Sequence, residues 1–375
     1  MKNAILIIDS PVRNLDLYYT SSFYCMDPFV YLEIDEKKIG FLPSTELEKA
    51  KVRSSLTQFY NLSYQLLKID NEKKYPMLKS SLVIDILNEN EIKEVIVPYS
   101  MSVVEATNLA NYGFIITTVD EPFYKERVSK NEMELSFIRE NCKNNVAVMN
   151  EIKNILGEST IENNNTLKYN GEILTVERLQ KMILHSFLER DLTSDSLITA
   201  VGDDGVFPHE EGKGLVYANT SIIVDIYPKN IKNHYYTDMT RTFCKGRASD
   251  DLRKIYQTVY DAQRFAMDKI YAGEDGKIIH EFVEAFFYNK GYKTKTIDGI
   301  LQGFFHGTGH GLGLECHEAP KISTHGTKLP KNSVVSVEPG LYYIGLGAVR
   351  IEDLVVVKDS GIENLTNYEK KLEIE

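Results

Sequence analysis

Four acidic residues sit inside stretches that otherwise read as buried strands, and any fold of this chain has to give them partners. Asp225 follows the apolar run of "SIIVDIYP", Asp238 opens "DMTRTF", Glu338 closes "NSVVSVE", and Glu352 interrupts "GAVRIEDLVVV". An ionised carboxylate left unpaired in a core is strongly disfavoured. In "SIIVDIYPKNIKNHYYTDMTRTF" two strand-like segments flank a polar turn region, which reads as an antiparallel hairpin. Closure on an even loop sets Asp225 directly opposite Asp238 on one face, where two carboxylates about 5 Å apart repel. That pairing needs a proton or a cation between them. The plain alternative is a solvent-facing hairpin, and "IIVD" argues against it, because an apolar run implies a strand buried on both faces. For Glu352 the plain alternative is an ion pair with Arg350, two positions away and so on the same strand face.

The segment "FFHGTGHGLGLECHEAP", residues 304–320, holds three of the eight histidines. His306 and His310 are four apart, as in helical zinc motifs, but Gly307, Gly309, Gly311 and Gly313 each cost a helix about 1 kcal/mol. No HExxH is present. A strand or loop with close backbone approach fits better. Any one of these histidines alone reads equally as a core or surface residue. Combined with four core-embedded carboxylates, one imidazole completes a mostly oxygen donor set whose charge balances two divalent metal ions. Such a set suits Mn, Co or Fe and admits Zn.

The remaining features bound the answer. At 375 residues two domains are expected. A hydrophobic fraction of 43% with 26% charged residues is that of a globular chain with a sizeable core. The net charge of -11 carries no long single-sign run and excludes a nucleic-acid footprint. Cys25, Cys142, Cys244 and Cys316 form no CxxC pair, so neither a thiolate zinc site nor a disulfide framework is indicated and a reducing compartment fits. No apolar run reaches the ~18 residues of a membrane span, and Asp9 ends the apolar start before it could serve as a signal core. The expectation is a cytoplasmic protein with no nucleic-acid or membrane partner.

Residues 1–126 alternate strand-like segments ("AILIID", "PFVYLEIDEKKIGFLPS", "EVIVPYS", "GFIITTV") with short helices and read as a small α/β domain. A long amphipathic helix then begins near 130. Ser129 and Glu132 are spaced as a capping box, and Met133, Leu135, Ile138, Val146, Met149 and Ile152 form its apolar stripe. Residues 127–375 make the second domain and carry the chemistry.

Taken in order, "VDIYPKNIKNHYYTDMTRTF", "HGTGHGLGLECHEAP", "VVSVEPGLYY" and "GAVRIEDLVV" resemble the M24 metallopeptidases of the pita-bread fold, in the Xaa-Pro aminopeptidase and prolidase branch. The resemblance implies an α/β (α+β) chain, a creatinase-like amino-terminal domain followed by a pita-bread catalytic domain. It implies that Asp225, Asp238, His310, Glu338 and Glu352 hold a dinuclear centre in which Asp238 and Glu352 bridge both metals. A water or hydroxide between the ions is then the nucleophile, with Glu338 as proton carrier. His209 and His317 match substrate-positioning histidines, His306 a further active-site histidine, and Arg350 orients Glu352 or meets substrate. The implied substrate is a peptide with proline in second position, and a homodimer is implied as well. The branch covers both dipeptidases and enzymes that trim longer peptides. Two rival readings are a methionine-removing aminopeptidase, which usually lacks the first domain, and a non-catalytic binding protein, which typically loses the metal ligands. The hairpin after Asp225 is longer by two residues than in the best-known members, with Pro228 beyond the first ligand.

Overall fold

The computed structural model describes residues 2–375. The chain divides into two compact units, residues 1–125 and residues 126–375.

The first unit is built on one six-stranded sheet in the order Gln58–Asn61, Lys37–Leu42, Phe29–Ile34, Asn3–Asp9, Glu94–Val97, Ile115–Thr118. The central Asn3–Asp9 strand runs antiparallel to Phe29–Ile34 and parallel to Glu94–Val97, so the sheet is mixed. Strand alternation sends Leu6, Val30 and Leu32 to one face, where they pack with Val83, Leu87 and Leu109. Ile7, Phe29 and Tyr31 go to the other, against Leu17 and Ala50. Both faces are thus covered by helices, as the expected α/β pattern requires.

The second unit opens with the long helix Glu132–Glu158. Its capping box lies two residues beyond the expected pair. Asn131 Oδ1 accepts from Glu134 N at 3.0 Å, and Glu134 Oε2 accepts from Asn131 N at 2.7 Å. Ser129 instead donates its hydroxyl to Lys331 O. Of the expected stripe, Leu135, Ile138, Met149 and Ile152 are buried and Val146 is half-buried, whereas Met133 is exposed in the first turn.

Two sheets follow. One orders Ile198–Val201, Ile222–Ile226, Met239–Lys245 and Glu373–Ile374; the other orders Glu318–Ile322, Gly309–Gly311, Val334–Val337, Asp353–Val357 and Ile362–Asn364. Each is backed by a helix pair. Ile222, Val224, Ile226, Met239 and Phe243 pack on Val148, Ile152, Leu179 and Ile183 from Glu132–Glu158 and Val176–Leu188. Val335, Val337, Val355 and Val357 pack on Ile255, Val259, Ile279 and Val283 from Asp250–Met267 and Gly276–Asn289. Once alternate residues are committed to the helices, the residues between them face the other way. Asp225 shares the parity of Ile223, Asp238 that of Thr240 and Thr242, Glu338 that of Ser336, and Glu352 that of Leu354. The same pattern that buries the aliphatic side chains therefore turns the four carboxylates onto the opposite faces. Among the described residues no helix is long and apolar enough to cross a membrane.

Candidate metal centre

The hairpin carrying Asp225 and Asp238 closes two residues away from the expected register. Ile226 pairs with Met239, and Asp225 lies opposite Thr240, not Asp238. The loop 227–238 is occupied with its own bonds: Thr237 N donates to Pro228 O, Asn230 N to Tyr235 O, and Lys229–Asn230 forms a ladder with Leu192–Thr193. Asp238 is left just outside the ladder. A shift of two preserves parity, so the carboxylates share a face as diagonal neighbours.

Arg350 and Glu352 do not share a strand. Gly347–Arg350 pairs with Gly340–Tyr343, and after Ile351 the chain crosses to Asp353–Val357 in the five-stranded sheet. Arg350 therefore serves a different carboxylate from the expected Glu352. Its Nη2 donates to Asp225 Oδ2 at 2.7 Å.

His310 stands on Gly309–Gly311, a strand among glycines, as the sequence suggested. A Cβ at Gly309 would lie 1.9 Å from Ser336 O, and one at Gly311 2.3 Å from Ala319 O, so neighbouring strands come too close for any other residue. His310 Nδ1 lies 3.1 Å from Gly311 O, a carbonyl that can only accept, which places a hydrogen on Nδ1. Nε2 is thereby directed at Glu338 Oε1 (3.3 Å) and Asp238 Oδ2 (3.9 Å). That tautomer is the one a metal-binding imidazole needs.

Asp238, His310 and Glu352 each bring one donor atom within 4.8 Å of the others. Asp225 and Glu338 flank this trio, their charges acting on Asp238. Burial, then Glu352, Asp225 and Glu338, push Asp238 well above the usual carboxylate range. Burial, then Glu338 and Asp225, do the same to Glu352. Burial opposes a charge on His310, but Glu338 and Glu352 outweigh it and hold its pKa up to about 9. Burial would likewise raise Glu338, but His310 holds it down to about 2. The pocket thus calls for positive charge where Nε2 points, and a proton or a metal ion meets the same demand. Three buried carboxylate oxygens, Asp225 Oδ1, Asp238 Oδ1 and Glu352 Oε1, have no hydrogen-bond partner among the described residues. Orphaned acceptors in a group this closely packed fit divalent cations.

Supporting groups escaped the sequence reading. Ser336 Oγ accepts from His310 N at 3.0 Å and donates to Glu338 Oε1 at 3.1 Å, tying two candidate ligands together. Thr240 Oγ1 donates to Glu352 Oε2 at 2.8 Å, leaving Oε1 as the open atom. Tyr342 OH joins Arg350 Nη1 (3.0 Å) to His306 Nε2 (2.8 Å). Burial above all lowers the pKa of His306, to about 4, which keeps the ring neutral near neutral pH. Its Nδ1–H donates to the Gly307 carbonyl at 2.8 Å, so Nε2 is left to accept the phenol hydrogen while the phenol oxygen accepts from Arg350. Thr240 and Ser336 were detectable as polar residues two positions from Asp238 and Glu338 on their faces; Tyr342 carried no such signal.

The nine residues singled out in the sequence, His209, Asp225, Asp238, His306, His310, His317, Glu338, Arg350 and Glu352, all border one cavity of about 830 Å³. The His317 ring lies 4.3 Å from that of His310, and burial, then His310, lowers its pKa. His209 lies on the exposed part of the wall, next to Pro208, whose carbonyl accepts from Arg350 Nη2 at 3.3 Å. Cys316 is the one cysteine on that wall among the described residues, its Sγ 3.6 Å from Asp238 Oδ2.

Comparison with known proteins agrees with this geometry. The family model described as Metallopeptidase family M24 matches residues 136–359. The chain belongs to metallopeptidase family M24. As an M24 metallopeptidase it is 29% identical over 317 residues to the Xaa-Pro dipeptidase of Pyrococcus furiosus, covering 83% of this chain and 84% of that relative. The likeness to solved structures extends to both units. An X-Pro aminopeptidase from Thermotoga maritima superposes with a TM-score of 0.81 at 22% identity, covering 100% of this chain and 98% of that one. An Xaa-Pro dipeptidase from Bacillus anthracis gives 0.80 at 22% identity, covering 99% and 95%. These likenesses establish the mixed α/β architecture with an amino-terminal domain ahead of the M24 domain.

Proposed function

We propose that this M24 metallopeptidase is a dinuclear-metal hydrolase that removes the amino-terminal residue from Xaa-Pro dipeptides or Xaa-Pro-led peptides. The observation that carries the reading is that donor atoms of Asp238, His310 and Glu352 lie within 4.8 Å of one another. Asp225, Asp238, His310, Glu338 and Glu352 would hold the ions. Divalent cations there, Mn or Co first and Fe or Zn next, supply a Lewis acid for the scissile carbonyl and acidify water toward neutral pH.

The remaining roles belong to the chain. Glu338, held ionised, accepts a proton from the attacking water and delivers it to the leaving nitrogen. Arg350 fixes Asp225 and, through Tyr342, holds His306 as a neutral imidazole. His317 and His209 position the substrate and support the negative charge that develops on the carbonyl oxygen. A proline nitrogen has no hydrogen and its ring fixes the backbone, so selection rests on shape more than on a hydrogen bond to that nitrogen. The names of the dipeptidase and aminopeptidase relatives support this specificity.

The test is direct. Protein reconstituted with Mn or Co and shown to contain metal is offered Xaa-Pro dipeptides and longer Xaa-Pro-led peptides, and release of the first residue is measured. Metal-loaded protein that turns over neither set is not an Xaa-Pro hydrolase.

A further inference from the structure

Where the five-stranded sheet reaches the candidate centre, one of its ladders stops a position short of the ligands. Val334–Val337 pairs with Asp353–Val357 as far as Val337 opposite Asp353. The next opposed positions in that register are Glu338 and Glu352, and their N–H groups go elsewhere. Glu338 N donates to Thr308 O at 2.8 Å, and Glu352 N to Thr240 O at 3.0 Å. Pro339, directly after Glu338, has no N–H with which to carry the ladder on.

One side chain spans this gap. Gln263, fully buried on the helix Asp250–Met267, donates from Nε2 to Val337 O at 2.9 Å and to Ile351 O at 3.1 Å. Carbonyls only accept, so the amide nitrogen has to face them. Its Oε1 is then left buried with no hydrogen-bond partner among the described residues. A buried acceptor without a donor is costly, and the helix face around it is otherwise apolar, with Val259 and Ala266 about one turn to either side. The carboxamide is therefore explained by its two donor bonds and not by packing.

Each bond acts on a ligand residue through a planar group. Val337 O and Glu338 N belong to one peptide plane, Ile351 O and Glu352 N to another. Gln263 and Thr308 hold the first plane from both ends; Gln263 and Thr240 hold the second. Two hydrogens on one nitrogen thus set how far apart the Glu338 and Glu352 backbones stand, just where the ladder between their strands has ended. Resting on the ligand set proposed above, we infer that Gln263 is a positioning residue for the metal centre, which fixes the spacing of Glu338 and Glu352 and through it the affinity and ligand geometry of the site. Its bonds go to backbone carbonyls, so its removal deletes no candidate donor atom.

The full chain, stripped of metal and titrated with manganese or cobalt, tests this. Gln263→Met keeps the length and loses both donors. It is expected to weaken manganese binding about tenfold or more by titration calorimetry, and to shift the visible absorption of bound cobalt, which reports the arrangement of its ligands. Val259→Ala, one turn away on the same helix face, should lower the melting temperature and leave manganese affinity and the cobalt spectrum as in the parent. Gln263→Glu keeps the shape and, as a buried neutral acid, has one donor hydrogen in place of two. It should fall between the parent and Gln263→Met, and it carries the comparison if Gln263→Met does not fold. Parent-like affinity and spectrum in the folded Gln263 variants, or an equal change in both from Val259→Ala, would overturn the assignment while leaving the metal centre in place. If neither Gln263 variant folds, the residue serves the fold and the assignment falls. A parent chain that binds neither manganese nor cobalt would instead remove the proposed ligand set, and this inference with it.

Discussion

Arg350 donates to Asp225 Oδ2 over 2.7 Å, and the other oxygen of that carboxylate, Oδ1, is buried without a partner. The guanidinium thus satisfies one side of Asp225 and aims the other at the cavity. Its second nitrogen is held by Tyr342, so the fork cannot swing away. Lysine offers a point charge without that fork. Arg350→Lys is expected to weaken metal affinity about 10- to 100-fold, the usual effect of losing a group that orients a ligand. Titration calorimetry with manganese checks this, and unchanged affinity would remove Arg350 from that role. In metal-free protein, Arg350→Met should cost about 3 kcal/mol or more, because a buried carboxylate loses its cation.

Asp238 bears on the other side of the electrostatic balance. Burial and three neighbouring carboxylates work against its charge while no metal is present. Asp238→Asn keeps the shape and removes the repulsion. The metal-free variant is expected to melt no lower than the parent chain. Added manganese should raise the melting temperature of the parent, by the equivalent of about 2.7 kcal/mol at a hundredfold excess over Kd, and leave the variant unmoved. Thermal scans with and without metal measure both, and a full metal-induced rise in the variant would take Asp238 out of the ligand set. Activity of the variant should be lost.

Tyr342 makes a separable prediction. Its hydroxyl hands a hydrogen to His306 Nε2 and receives one from Arg350, so Tyr342→Phe loosens the histidine without touching a candidate ligand. The expected result is about a tenfold fall in kcat/KM, the order of one buried hydrogen bond between neutral groups, with metal stoichiometry unchanged. A variant that lost metal would show that the hydroxyl supports the centre and not the histidine.

Much of the site was legible because strand alternation is insensitive to even shifts. Asp225 and Asp238 were expected on one face, and they are, although the ladder closes two residues away. The register itself was hidden because loop 227–238 spends its polar groups on itself and on Leu192–Thr193, a pairing between distant segments. Arg350 and Glu352 read as one strand because nothing in "AVRIEDLVVV" breaks its apolar pattern; the chain changes sheets at Ile351 and Glu352, and Glu352 N bonds Thr240 O from a third strand. The capping box slipped by two because both Ser129 and Asn131 are good caps with a glutamate three residues on. Tyr342 stayed invisible because its partners include His306, remote in sequence, and only folding brings its hydroxyl to that imidazole.

The last prediction concerns the residue after His317. Glu318 is almost fully buried, with Oε1 2.6 Å from Arg127 and Oε2 3.0 Å from Lys130, itself buried. Burial alone would raise its pKa, but Lys130 and Arg127 outweigh it and hold the carboxyl below its usual value. A carboxylate depressed in the folded state stabilises above its unfolded pKa, about 4.3, and that contribution fades as pH falls through the folded value. Glu318→Gln should therefore cost about 3 kcal/mol near neutral pH, because two buried cations lose a partner charge. The gap between parent and variant, measured by urea denaturation, should stay level from about pH 8 to 6 and narrow below about pH 4. A gap that widens with acidification would mean that Glu318 is protonated in the folded chain and that the clamp on the His317 segment is not ionic.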